Sequence, residues 1–140
     1  MRKLSSDPVG KLHKAGEDYL ETILVLQQQK GMVRSVDVAR ALNFSKPSVS
    51  NAVSVLQQAG YLTVDGDHFL HLTQEGLQIA QRIYERHCFF KALLIDVGVD
   101  PAVAEEDACR MEHAISSESF SRLQEARKYL QLPPREESET

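Results

Sequence analysis

Apolar residues recur along this chain at intervals of three and four, the period of a one-sided helix, with one short interruption where they alternate. Tyr19, Leu20, Ile23, Leu24 and Leu26 predict a first helix from Ala15 to Gln29, closed by Gly31. Ser35 to Leu42 reads as a short helix with Ser35 as N-cap and Val36, Ala39 and Leu42 on one face. Asn43-Phe44-Ser45 reads as a turn. Ser45 then caps a third helix with Pro47 in its first turn, where the missing N–H costs nothing, and Gly60 ends it. Tyr61 to Val64 and Phe69 to Leu72, joined through Asp65-Gly66-Asp67, predict a β-hairpin. A long helix opens at Thr73 and runs through Ile79, Ile83, His87 and Phe90 to Val97, where Gly98-Val99-Asp100-Pro101 breaks it. Asp100 caps a helix from Pro101 to Ile115, and Ser116 or Ser117 caps a last one reaching Tyr129. The tail, 131–140, is rich in proline and glutamate and reads as flexible.

The fold class expected is mainly α. Residues 1–74 form an N-terminal winged helix-turn-helix and residues 75–130 a C-terminal helical domain. No apolar run approaches the roughly 20 residues that span a bilayer, and Met1 to Ala15 contains no apolar core of a signal peptide. The expected location is therefore the cytoplasm. Cys88 and Cys109 form no CxxC pair, which leaves a zinc-finger or thioredoxin-like reading unsupported. Cys88, next to Phe89 and Phe90, reads as a core residue.

The net charge of −4 argues at first against a nucleic-acid partner, but its distribution changes that view. Residues 1–80 hold eight Lys/Arg and eight Asp/Glu, whereas residues 81–140 hold eight and twelve. The acidity sits in the second half, where divalent cations would offset it. The first half carries a basic arm of Arg2, Lys3, Lys11 and Lys14.

Helix, tight turn, helix, hairpin is the order of a winged helix-turn-helix. In that motif the start of the second helix enters the major groove. Here that segment is Ser45, Lys46, Pro47, Ser48, Ser50 and Asn51. Short hydroxyl and amide side chains suit close approach to base edges, and the helix N-terminus offers N–H groups to a phosphate. Taken singly, these residues merely cap a helix; the preceding helix and following hairpin turn the reading toward DNA. Asp65 and Asp67 make the hairpin tip acidic and a poor phosphate clamp.

Cys109, Glu112 and His113 stand at i, i+3 and i+4 of one predicted helix and share a face. A thiolate, a carboxylate and an imidazole form a transition-metal donor set. Asp18 and Glu21 repeat the i, i+3 spacing on the first helix, and His87 lies on the long helix. Each alone has an ordinary reading: Asp18 and Glu21 as a solvated face, His87 as a surface or half-buried histidine, Cys109 as a small core residue. No nucleophile motif accompanies the donors, which argues against an enzyme. A metal-independent winged-helix regulator responding to a small organic ligand is the alternative. The apolar residues Ala102, Val103, Ala108, Met111, Ile115, Phe120 and Leu123 exceed what so small a domain can bury, and predict a two-fold dimer.

Glu17-Asp18-Tyr19-Leu20-Glu21, Ser45-Lys46-Pro47-Ser48-Val49-Ser50, Arg86-His87 and Ala108-Cys109-Arg110-Met111-Glu112-His113 together resemble the iron- and manganese-dependent repressors, the family of the diphtheria toxin repressor and the manganese transport regulator. The resemblance covers about residues 15–130. It implies a homodimer that binds a palindromic operator when Fe(II) or Mn(II) is bound, and so represses metal-uptake or metal-homeostasis genes. By position it implies Asp18, Glu21, His87, Cys109, Glu112 and His113 as metal ligands. It places Ser45, Pro47, Ser50 and Asn51 on the DNA-facing start of the recognition helix. Two departures stand out. Asp18 fits the manganese branch and Cys109 the iron branch, so the site is a hybrid. Lys91 and Glu105 stand where the iron branch keeps an acidic residue and a histidine for an ancillary site, which argues against that site here.

Overall fold

The computed structural model describes residues 14–129. The expected basic arm, apart from Lys14, and the expected tail lie outside the described residues. The chain divides into two compact units, Met1–Arg82 and Ile83–Thr140. Unit 1 contains α1 (Lys14–Lys30), α2 (Ser35–Leu42), α3 (Lys46–Gln58), β1 (Leu62–Val64), β2 (Leu70–Leu72) and the start of α4 (Gln74–Asp96). Unit 2 contains the rest of α4, then α5 (Pro101–Met111) and α6 (Ser117–Tyr129).

In unit 1 the apolar stripes of the three helices meet in a core of Leu20, Ile23, Val38, Val49, Val53 and Leu56. Each large aliphatic side chain so buried stabilises the unit by about 1.5–3 kcal/mol. On α2 the buried residues are Val38 and Ala39, while Val36 and Leu42, expected on the core face, are only half-buried. Ser35 is not the cap of α2. Arg34 takes that position because it is extended and bridges to Phe69. Its N–H donates to the Asp37 carboxylate at 2.8 Å.

The α2–α3 turn is the expected Asn43-Phe44-Ser45. Asn43 adopts a left-handed conformation, φ 56°, which Asn tolerates better than most residues. The Phe44 N–H then reaches back to Ala39 O at 3.0 Å and closes the end of α2. Ser45 Oγ accepts the Ser48 N–H at 3.2 Å and starts α3. Gly60, at φ 89°, closes α3 in the same left-handed manner.

β1 and β2 pair antiparallel with Thr63 opposite His71. Their loop is Gly66-Asp67-His68, one residue further along than expected. Asp65 N–H donates to Phe69 O, His68 N–H donates to Asp65 O, and His68 takes the left-handed conformation. That is a three-residue hairpin loop. Asp65 sets it, because its Oδ1 accepts both the Asp67 and the Phe69 N–H at 2.9 Å.

Unit 2 packs around Phe90, Ala108 and Phe120, with Phe89, Met111 and Ile115 partly buried against them. Asp100 caps α5 through Ala102 N–H, and Ser116 caps α6 through Ser119 N–H. α5 ends at Met111 rather than Ile115. Buried Arg86 explains the early stop. It donates to Glu112 O at 3.2 Å and to Ile115 O at 2.5 Å, so these carbonyls face a guanidinium and not another helical turn. Cys88 is exposed, not a core residue; Phe90, two positions on, takes the inward place on α4.

Gly76 is the tightest position of the hairpin–helix junction. A Cβ there would lie 1.9 Å from the backbone oxygen of Tyr61, which itself accepts the Thr73 N–H. Gly76→Ala is expected to destabilise the protein by about 3 kcal/mol through backbone displacement. Thermal melting followed by circular dichroism checks this; a melting temperature equal to wild type would show that the junction yields freely.

Candidate metal centre and nucleic-acid interface

α4 and α5 bring three donors of unit 2 together. A ring nitrogen of His87, the Cys109 sulfur and a Glu112 carboxylate oxygen all lie within 4.8 Å of one another. His87 Nδ1 is 2.8 Å from Glu112 Oε1 and 3.7 Å from Cys109 Sγ. Glu112 is fully buried and His87 nearly so, while Cys109 is half-buried. Glu112 holds its direction as the C-cap of α5, still helical in φ and ψ. His113 is in the turn beyond the helix, a correction to the single-helix expectation, yet its Nε2 still lies 3.2 Å from Glu112 Oε2. Cys109 and His113 thus stand by the same carboxylate, but Cys109 groups with His87 and His113 does not join that group.

Asp18 and Glu21 are on α1 in unit 1, three residues apart and each half-buried. Lys14 Nζ donates to Asp18 at 3.2 Å. The ancillary pair is an ion pair: Lys91 Nζ lies 2.9 Å from Glu105. An ammonium beside that carboxylate opposes a second cation there. Glu105 also reaches the other ring nitrogen of His87, Nε2, at 3.1 Å, a partner that sequence reading missed. Its signal was available: Glu105, Cys109 and Glu112 follow i, i+4, i+7 spacing on one helical face.

The donor set fits a divalent transition metal. Imidazole, thiolate and carboxylate are a borderline-soft combination, and their negative charge is compensated by a bound cation. Without one, His87 takes the compensating charge as a proton. The bond to Glu112 is the main cause, the Glu112 and Glu105 charges add to it, and burial opposes; the net result raises its pKa from 6.5 to about 9.

In unit 1, Ser45, Lys46, Pro47, Ser48, Ser50 and Asn51 are all exposed at the start of α3, while Val49 and Val53 face inward. Ser45 also caps the helix: its hydroxyl donates to Ser48 Oγ at 2.9 Å and accepts the Ser48 N–H. The hairpin tip is acidic as expected, although His71 pairs with Asp65 at 2.8 Å and holds that carboxyl below its ordinary pKa.

These are the two parts of a regulator with a helix-turn-helix reader in one unit and a buried donor cluster in the other. Known proteins divide in the same way. Residues 9–70 match the family model described as iron dependent repressor, N-terminal DNA binding domain. Residues 73–139 match iron dependent repressor, metal binding and dimerisation domain. The chain belongs to the iron-dependent repressor family, whose members are metal-dependent transcriptional repressors. It is 33% identical over 109 residues to an HTH-type transcriptional regulator of Methanocaldococcus jannaschii, covering 76% of this chain and 87% of that protein. It is 36% identical over 104 residues to the transcriptional regulator MntR of Salmonella typhimurium, covering 74% of this chain and 66% of that one. The solved structure of the manganese regulator SloR is similar with a TM-score of 0.73 and 25% identity, covering 85% of this chain. The chain spans only 56% of the SloR chain. No described helix is long and apolar enough to cross a membrane.

A metal that takes a nitrogen of His87 must displace the proton. The stability contributed by protonated His87 in the metal-free protein is fully present below pH 6.5 and is lost as pH rises through about 9. Over that window metal binding is expected to strengthen by about tenfold per pH unit for each proton released. Mn(II) titrations at several pH values, in buffers of different protonation enthalpy, measure both quantities. An affinity independent of pH would remove His87 from the ligand set.

Proposed function

We propose that this chain represses metal-uptake or metal-homeostasis genes when Fe(II) or Mn(II) is bound, as a homodimer on a palindromic operator. The observation that carries the reading is the meeting of His87, Cys109 and Glu112 in the unit matched by the metal-binding and dimerisation domain. It acts as a regulator and not as an enzyme, and works in the cytoplasm, where the DNA is. In this reading residues 1–74 read DNA, and residues 75–130 sense metal and form the dimer. Exposed Val97, Val103 and Leu123 on unit 2 support the dimer, because solvent is a costly neighbour for so many apolar groups in a small unit.

The proposed ligands are Asp18, Glu21, His87, Cys109, Glu112 and His113. The proposed DNA contacts are Ser45, Lys46, Pro47, Ser48, Ser50 and Asn51. When bound, the metal would supply the positive charge that this donor set lacks. The chain's own residues do the rest. Exposed Ser50 and Asn51 face the major groove, and the α3 N-terminus meets phosphate. Two recognition helices of a dimer must sit about 34 Å apart, or a multiple of that, to meet successive grooves. A metal that favours the competent arrangement raises affinity by its differential stability.

The mixed donors decide the metal. Asp18 and Glu21 suit Mn(II), and the structurally similar SloR is a manganese regulator; the thiolate of Cys109 favours Fe(II). We expect Cys109→Glu to shift activation toward Mn(II), and Cys109→Ala to weaken metal-dependent DNA binding with either metal. Anaerobic titrations of binding to a duplex selected from a random pool check this. Identical curves for the three proteins would make Cys109 a packing residue only. Asn51→Ala is expected to cost about 1–3 kcal/mol of duplex binding and to leave metal affinity unchanged; unaltered affinity and sequence preference would take Asn51 off the reading surface.

A further inference from the structure

The two ring nitrogens of His87 face different partners. Nδ1 points to Glu112 and Cys109, the donor cluster. Nε2 points away from it, to Glu105 at 3.1 Å. Glu105 is in turn gripped by Lys91 at 2.9 Å, and its second oxygen lies 3.9 Å from Cys109 Sγ. The nitrogens of an imidazole diverge, so one metal ion cannot take both. We propose that Glu105, anchored by Lys91, is a positioning residue of the metal centre: it accepts the Nε2 proton of His87, fixes the ring, and leaves Nδ1 for the metal.

This rests on the metal-dependent reading above. The physical logic is general. A histidine ligand needs its lone pair on the ligating nitrogen and its proton on the other, and a carboxylate on the outer nitrogen selects that tautomer and raises the basicity of the ligand. Glu105 is half exposed, so by itself it would wander among rotamers. The Lys91 ammonium pins one carboxylate oxygen, and it does so from α4, one helical turn beyond His87. The ion pair therefore bridges α4 and α5 on the outer side of the donor cluster. Lys91 repels a second cation there while orienting the ligand of the first.

The test uses the full chain and Co(II), whose thiolate charge-transfer band and d–d bands report the ligands directly. Affinity and saturated spectrum are measured for wild type, Glu105→Ala and Glu105→Gln. Glu105→Ala is expected to weaken Co(II) binding by about 10–100-fold, with the saturated spectrum unchanged because no ligand is lost. Glu105→Gln keeps an oxygen that accepts from Nε2–H, and is expected to recover most of the affinity. Wild-type affinity in Glu105→Ala would overturn the proposal. A changed saturated spectrum in either variant would also overturn it, by making Glu105 a ligand. Equal weakening by both substitutions would do so too, since Gln preserves the acceptor. A wild-type chain that binds no Co(II) would instead fail the metal-dependent reading itself, and the proposal with it. Circular dichroism melts of each variant separate loss of affinity from loss of fold.

Discussion

Burying an imidazole costs solvation, and His87 recovers that cost from a carboxylate on each edge of its ring, Glu112 at 2.8 Å and Glu105 at 3.1 Å. Lys91 offsets the charge of Glu105, and the buried Glu112 carboxylate leaves the cluster short of positive charge. A proton on His87 makes up the deficit in the metal-free chain, and a divalent cation can make it up better because the Cys109 sulfur joins the same cluster. Proton and metal thus compete for one place. The geometry that allows this depends on Arg86, which ends α5 by taking the carbonyls of Glu112 and Ile115 and lies 5.3 Å from the Phe120 ring centre. The core of unit 2 and its donors are therefore fixed by neighbouring residues on one turn of α4.

Unit 1 meets a different constraint. α3 carries a single cation, Lys46, and the hairpin tip is acidic. Phosphate attraction alone is a small resource for such a module. Short polar side chains at a well-capped helix start allow close approach instead, and pairing two such modules compensates for the weakness of each. This places the weight of recognition on how the reading helices are held.

Much of this was legible in the sequence. Helix starts were fixed by residues with a local chemical reason: Ser45, Asp100 and Ser116 each cap within their own turn. The αL ends at Asn43 and Gly60 are equally local. What the chain did not reveal depended on contacts distant in sequence. Ser35 lost its capping role because Arg34 is drawn into a bridge with Phe69. α5 stops early because of a guanidinium 26 residues away from Glu112. Cys88 looked apolar by its neighbours, but helical periodicity gave the inward place to Phe90. At Gly76 the reason for glycine lies in the backbone of Tyr61 across the junction. Cys109 and Glu112 were legible as a pattern because i, i+3 spacing holds as far as the C-cap of α5. Their outer partner Glu105 drew notice only as a departure from the family's ancillary site, and its bond to His87 needed the fold.

The central claim is that DNA binding by unit 1 depends on a metal held at the His87–Cys109–Glu112 cluster. Its most direct test is the affinity of the full chain for a selected duplex, measured with Mn(II), after removal of the metal by a chelator, and after Mn(II) is restored. The account predicts tight binding, loss on chelation and full recovery, with His87→Ala held at the chelated level throughout. Sequence-specific binding that survives chelation unchanged in the wild type would contradict it.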